Sequence, residues 1–156
     1  MKRYLVIGNP INHSLSPKLH NYWFKKNNIN AKYEKKEIKE NELKNILAEV
    51  KQEKINGINI TVPFKKIVIP FLDELSSEAN ETQSVNTIYL RDGKTIGHNT
   101  DIAGFELAVK YSKYDIFNKR IFILGAGGVV PSIIYSLKKM KVSKITVSNR
   151  TKKKAE

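Results

Sequence analysis

At 156 residues, 40% of them hydrophobic, the chain has the length of one domain and enough apolar surface for a core, and no apolar run approaches the ~20 residues that span a bilayer, which excludes a membrane protein. The absence of cysteine excludes disulfides, thiolate metal sites and a cysteine nucleophile, and agrees with a cytoplasmic protein. A net charge of +13 invites a polyanion, but the arginines are only Arg3, Arg91, Arg120 and Arg150 and the lysines recur evenly beside Asn and Ile, so solvated faces are expected rather than specific nucleic-acid recognition.

In chain order, Met1-Lys2-Arg3 leads into a short apolar run, Tyr4 to Ile7. It is too short for a signal peptide and meets the turn Gly8-Asn9-Pro10, so it reads as a first strand. Ser16 as helix cap and Pro17 at the first helical position open a helix. Leu19, Tyr22, Trp23 and Lys26 follow at three- and four-residue spacing, which assigns Trp23 to the core and His20 to the helix surface. Tyr33 to Ile38 is a second strand, polar enough for a sheet edge, and Glu42 to Val50 carries Leu43, Ile46, Leu47 and Val50 on one helical face. Ile58 to Val62 is a third strand, stopped by Pro63, which lacks a ladder donor. Ile67 to Leu75 and Glu78 to Thr82 are expected as short helices, and Asp92-Gly93 marks a hairpin between Thr87–Leu90 and Thr95–Gly97. Asp101 to Tyr111 reads as a helix leading away from it.

From Arg120 the pattern restarts, with a strand through Leu124, the turn Gly125-Ala126-Gly127-Gly128, a helix to Met140 and a strand from Lys144 to Ser148. This is one βαβ unit of a second domain that the chain does not complete, since Asn149 to Glu156 is only the start of a further helix. The fold class expected is α/β: a three-layer domain with a mostly parallel mixed sheet over residues 1–101, a connecting helix and linker over 102–118, and an incomplete Rossmann-like nucleotide-binding unit over 119–156.

The glycine turn lies between a strand and a helix, the context in which such a turn holds a pyrophosphate on helix-terminal amides. Val130 replaces the third small residue of the fingerprint, so a plain connecting turn is the competing reading. The following strand ends in Ser148-Asn149-Arg150-Thr151, without the carboxylate that grips the ribose of NAD; Arg150 suits a 2′-phosphate and favours NADP. Lys65 and Asp101 each follow a strand beside a Pro or Gly break, where open α/β sheets bind ligands, and they offer a cation and an anion for acid/base work. Each, judged alone, also fits a surface charge. Ser14 and Ser16 lie in a loop entering a helix, suited to a carboxylate or to simple capping. His13, His20 and His98 lack metal spacing, and no metal is expected.

Six ordered motifs together resemble the NADP-dependent shikimate dehydrogenase family. They are Gly8-Asn9-Pro10-Ile11 with His13-Ser14-Leu15-Ser16-Pro17 and Leu19-His20-Asn21, Asn59-Ile60-Thr61-Val62-Pro63-Phe64-Lys65, Ser84-Val85-Asn86-Thr87-Ile88, Asn99-Thr100-Asp101 with Gly104-Phe105, the glycine turn, and Asn149-Arg150-Thr151. The resemblance implies substrate contacts from Ser14, Ser16, Asn59, Thr61, Lys65, Asn86 and Asp101, with Lys65 and Asp101 as the catalytic pair. It implies NADP binding by Gly125, Ala126, Gly127, Gly128, Val129, Asn149, Arg150, Thr151 and Lys154. The reaction implied is reversible reduction of 3-dehydroshikimate to shikimate, in aromatic amino-acid biosynthesis. The partners implied are small molecules, with no membrane and no specific nucleic acid, and a homodimer is compatible. Two departures are Ser84, where the family has Ala or Gly, and Val130-Pro131 after the glycine turn. A third is length, because the family's nucleotide domain continues further. A catalytically inactive shikimate-binding module and a quinate-preferring dehydrogenase are the alternative expectations.

Overall fold

The computed structural model describes residues 1–154, and the chain divides into two compact units, Met1–His98 and the segment from Asn99 onward. The first unit is built on six strands. β1 (Lys2–Gly8) is followed by α1 (Ser16–Lys26), β2 (Ala31–Glu37), α2 (Leu43–Lys51), β3 (Gly57–Ile60), α3 (Phe64–Ile67), β4 (Glu74–Leu75), α4 (Ser77–Thr82), β5 (Thr87–Arg91) and β6 (Lys94–His98). The strand order is β2-β1-β3-β5-β6-β4. β1 runs parallel to β2 and β3, and β4 to β6, while β5 is antiparallel to both its neighbours. The mixed, mostly parallel sheet expected from the sequence is therefore present.

Alternation along β1 sends side chains to two faces. Leu5 and Ile7 join Ile58, Ile60 and Ile88 beneath the α2 stripe of Leu43, Ile46, Leu47 and Val50, all almost fully buried. On the opposite face Val6, Ile11 and Tyr33 pack with Tyr4 of β1 and Phe24 of α1. Helices thus cover both faces, giving three layers, and each fully buried aliphatic side chain contributes about 1.5–3 kcal/mol.

β2 lies at the sheet edge, as its polar pattern implies. Asn21 reaches across from α1 to complete it: its Nδ2 donates to Tyr33 O at 2.8 Å, and its Oδ1 accepts from Tyr33 N at 2.9 Å. The side-chain amide stands in for a neighbouring strand. The hairpin falls where expected, with Asp92 and Gly93 both at positive φ (52° and 74°), a pair of left-handed residues that matches the strand twist.

Four local expectations are corrected. Trp23 is 46% exposed and α1 buries no residue fully; apolar residues surround this helix, and Phe24 with His20, rather than Trp23, face Tyr4 and Tyr33. His20, expected at the helix surface, instead stacks on the Tyr33 ring at 4.2 Å. Ser16 is the first residue of α1 rather than its cap, and Ser14 Oγ accepts from Ser16 N at 3.3 Å. Ile67 to Leu75 is not one helix: α3 ends at Ile67, a 3-10 turn covers Ile69–Phe71, and Glu74–Leu75 pairs with β6. Pro70 supplies no N–H and disfavours helical backbone before it, so the chain turns there and extends from Leu72.

The second unit contains α5 (Asp101–Ser112), β7 (Arg120–Leu124), α6 (Val130–Lys139) and β8 (Lys144–Ser148), with β7 and β8 parallel in register from Arg120↔Lys144 to Leu124↔Ser148. The β-turn-α-β order matches the expectation. Among the described residues, no helix is long and apolar enough to cross a membrane.

Candidate functional site

In the first unit the sheet register gathers the predicted polar residues at one edge. Ile7 of β1 pairs with Ile60 of β3, and Asn59 pairs with Thr87, so the ends of β1 and β3 meet the start of β5. Thr87 in turn faces His98, the last residue of β6. The loop bearing Ser14 leaves β1 and runs into Ser16 at the head of α1, the run Thr61 to Lys65 leaves β3, and Asn86 enters β5.

Backbone hydrogen bonds hold these exits. Asn9 N donates to Val62 O (3.0 Å), Thr61 N to Ile7 O (3.0 Å), and Phe64 N to Thr61 O (2.9 Å). Ile11 N donates to Glu37 Oε2 at 3.2 Å and Asn9 Nδ2 to Ile38 O at 3.2 Å, which fastens the serine loop to the end of β2. The end of β1 also passes close to Thr61. A Cβ on Gly8 would lie 2.6 Å from Thr61 Cγ2 and 3.0 Å from Val62 O, so only glycine fits there. Lys65 stands in the first turn of α3, anchored by buried Phe64 beside it, and its carbonyl accepts from Val85 N at 2.8 Å.

Asn86 is tied on every side: its N–H donates to His98 O at 3.0 Å, its carbonyl accepts from Ile60 N at 2.8 Å, and its Oδ1 accepts from Thr87 Oγ1 at 3.0 Å. Asn59 supports it through Nδ2, which donates to Asn86 O (3.2 Å) and Thr87 Oγ1 (3.0 Å). Asn59 Oδ1 accepts from the Tyr33 hydroxyl at 2.6 Å. Burial pushes the Tyr33 phenol well above its usual range, which keeps it a donor. Tyr33 was missed in the sequence; the available signal was a lone aromatic in an otherwise charged edge strand.

In the second unit Asp101 opens α5, where its N–H donates to Asn99 Oδ1 at 2.9 Å. The glycine turn is tied to the end of β8. Gly125, at φ 103°, donates its N–H to Ser148 O (2.7 Å), and Ala126 N donates to Asn149 Oδ1 (3.2 Å). Asn149 Nδ2 donates onward to Thr151 O at 2.9 Å. Nothing lies within 4 Å of a Cβ built on Gly127, so the backbone there is open to a close approach. Arg150 is exposed at the same end, as is Val129 before α6. Pro131 deprives the first turn of α6 of one N–H, and Val130 N is engaged with Gly127 O at 3.0 Å, which leaves this helix end fewer amides for a phosphate. The backbone of Lys154 closes a 3-10 turn; its side chain lies outside the described residues. A separate cavity of about 490 Å³, walled by Val109, Tyr114, Ile116, Phe117 and Met140, holds none of the predicted site residues. Among the described residues, no group of three His, Asp or Glu side chains could hold a metal ion.

The model of the shikimate dehydrogenase substrate binding domain matches residues 6–88, more than half of the chain. The chain belongs to the shikimate dehydrogenase family. Similar proteins include the NADP-dependent shikimate dehydrogenases of Pelagibacter ubique, 60% identical over 154 residues, and Pyrococcus furiosus, 46% identical over 156; each match covers 99% of this chain, but 58% and 56% of the relative. Among solved structures, the Aquifex aeolicus shikimate dehydrogenase superposes with a TM-score of 0.92 at 42% identity, covering 99% of this chain and 58% of that one. The Thermus thermophilus shikimate 5-dehydrogenase in complex with NADP(H) and shikimate gives 0.90 at 32% identity, with the same two coverages. The chain thus spans a little over half the length of the shikimate dehydrogenases it matches. Their likeness extends past the substrate-domain match through the glycine turn.

Proposed function

We propose that the chain binds shikimate at the sheet edge formed by β1, β3 and β5, and that together with NADP at the glycine turn it serves the interconversion of 3-dehydroshikimate and shikimate. The observation that carries the reading is the fastening of Ser14, Thr61, Lys65 and Asn86 to one edge by backbone bonds among β1, β3, β5 and β6. Such a frame presents hydroxyls, an amide and an ammonium with little left to order on binding. The match to relatives named for this activity supports it from a second direction.

In this reading Ser14 and Ser16 take the substrate carboxylate, while Thr61, Asn86 and Asp101 take its hydroxyls and Asn59, its amide engaged with Asn86, Thr87 and Tyr33, holds Asn86 in place. The residues at the glycine turn suit a dinucleotide: Gly125 adopts a conformation favoured by glycine, Gly127 is open, and Arg150 is exposed for a 2′-phosphate. NADPH, when bound, supplies the hydride. Hydride arrival at the ring ketone leaves an alkoxide, which the Lys65 ammonium stabilises and protonates. Asp101 orients the reacting hydroxyl. Small-molecule partners and a cytoplasmic location go with this role.

Calorimetric titration with shikimate, with quinate and with NADP+ separately tests the two sites, and NADPH absorbance with shikimate and NADP+ present tests turnover. Binding of shikimate with loss on Lys65→Ala and Asn86→Ala is expected. No heat with shikimate at high protein concentration would reject the substrate reading. Binding without turnover would reduce the role to a binding module, and stronger response to quinate would move the substrate class.

A further inference from the structure

Two serines of α6, Ser132 and Ser136, are completely buried on one face of the helix, four residues apart, where it meets the start of α5. Buried hydroxyls at a helix contact have to be hydrogen-bonded, and both are. Ser132 Oγ accepts from Asn99 Nδ2 at 2.8 Å, and Ser136 Oγ donates to Ile102 O at 3.4 Å. Asn99 is itself 1% exposed, and its other amide atom, Oδ1, accepts the N–H of Asp101 at 2.9 Å. One side-chain amide thus spans from the helix that follows the glycine turn to the backbone of the acidic residue at the head of α5.

We propose that Ser132 is a positioning residue for Asp101, acting through Asn99. An amide group has two chemically different ends. The Asp101 N–H can only donate, so it sets which end is Oδ1, and Ser132, held on buried α6, pins the opposite end at Nδ2 and with it the place of Oδ1 against Asp101 N. Because Ser132 sits two residues into α6, directly after the glycine turn, the same link makes the Asp101 backbone move with the segment assigned to the cofactor. The proposal rests on the reading of Asp101 as a substrate-facing group.

Nuclear magnetic resonance of the whole chain tests this, with shikimate calorimetry on the same samples. Ser132→Ala removes the acceptor and is expected to shift the Asn99 side-chain and Asp101 backbone amide resonances, leaving those of β1 and β3 in place. Shikimate affinity should fall about two- to tenfold, the worth of one neutral hydrogen bond. Ser132→Thr keeps the hydroxyl and should return both readouts toward wild type. Unmoved Asp101 resonance in Ser132→Ala, or a moved one with unchanged affinity, overturns the proposal. If the unsubstituted chain does not bind shikimate, the functional reading fails, and the Asp101 resonance alone then decides the positioning role.

Discussion

Gly8→Ala is the sharpest perturbation of the substrate edge. The added methyl would stand 2.6 Å from Thr61 Cγ2, 3.0 Å from Val62 O and 3.1 Å from Ile11 Cδ1. Ordinary carbon contacts lie at about 3.5–4.0 Å, so the Thr61 methyl must yield by roughly 1 Å. Val62 O cannot yield freely, since it accepts Asn9 N at 3.0 Å. Overpacking of this kind costs about 1–3 kcal/mol. Three contacts at 3.1 Å or less put the clash in the upper part of that range, about 2–3 kcal/mol, and relief of glycine's entropy in a strand offsets about 0.5–1 kcal/mol, leaving a net loss of about 1–2.5 kcal/mol. Urea unfolding followed by circular dichroism measures it, with shikimate calorimetry on the folded protein. Thr61→Ser deletes the clashing methyl and keeps the hydroxyl. In the double variant the stability loss should shrink, with a coupling of about 0.5–2 kcal/mol between the two sites. A stability change below about 0.5 kcal/mol for Gly8→Ala, or no recovery with Thr61→Ser, would refute the steric argument and with it the assigned proximity of Thr61 to the end of β1.

Gly127→Ala meets nothing within 4 Å, so unfolding should change by less than about 0.5 kcal/mol while NADP+ affinity measured by calorimetry falls; unchanged affinity would move the cofactor from this turn. Tyr33→Phe leaves the stack on His20 but removes the donor to Asn59 Oδ1, with an expected loss of about 0.5–1.5 kcal/mol in urea unfolding and weaker shikimate binding. Asp73 accepts from Lys51 Nζ (2.8 Å), Thr95 Oγ1 (2.7 Å) and Thr95 N (2.8 Å), which together hold its carboxyl well below the usual carboxylate range. Its folded value is depressed, so its contribution is full above the ordinary carboxylate value near ~4 and is lost as pH falls below it. Asp73→Asn should therefore lower stability at neutral pH and flatten the acid limb of a pH series of urea midpoints; parallel curves for the two proteins would contradict this.

Much of the architecture was legible in the sequence because it is a local matter. The alternation in Tyr4 to Ile7, the stripe Leu43, Ile46, Leu47 and Val50, the Asp92-Gly93 hairpin and the strand-glycine-helix grammar after Arg120 each express a period or a backbone preference that neighbours a few residues away determine. Most of the motif residues lie beside a strand end that a local window can show: Ser14 after β1, Thr61 and Lys65 after β3, Asn86 before β5 and Asp101 after β6. Where apolar residues circle a helix, as Leu19, Tyr22, Trp23 and Phe24 do, periodicity does not choose the inward face. Contact of His20 and Phe24 with Tyr33 and Tyr4 chose it instead. Glu74–Leu75 became a strand only because β6 offers an edge, a partner about twenty residues away that no local window contains. The supports of the site are of the same kind. Tyr33 beneath Asn59 and Ser132 behind Asn99 are joined by hydrogen bonds across 26 and 33 residues. Such bonds depend on which strands and helices come to lie together, and the sequence by itself determined only the residue types able to make them.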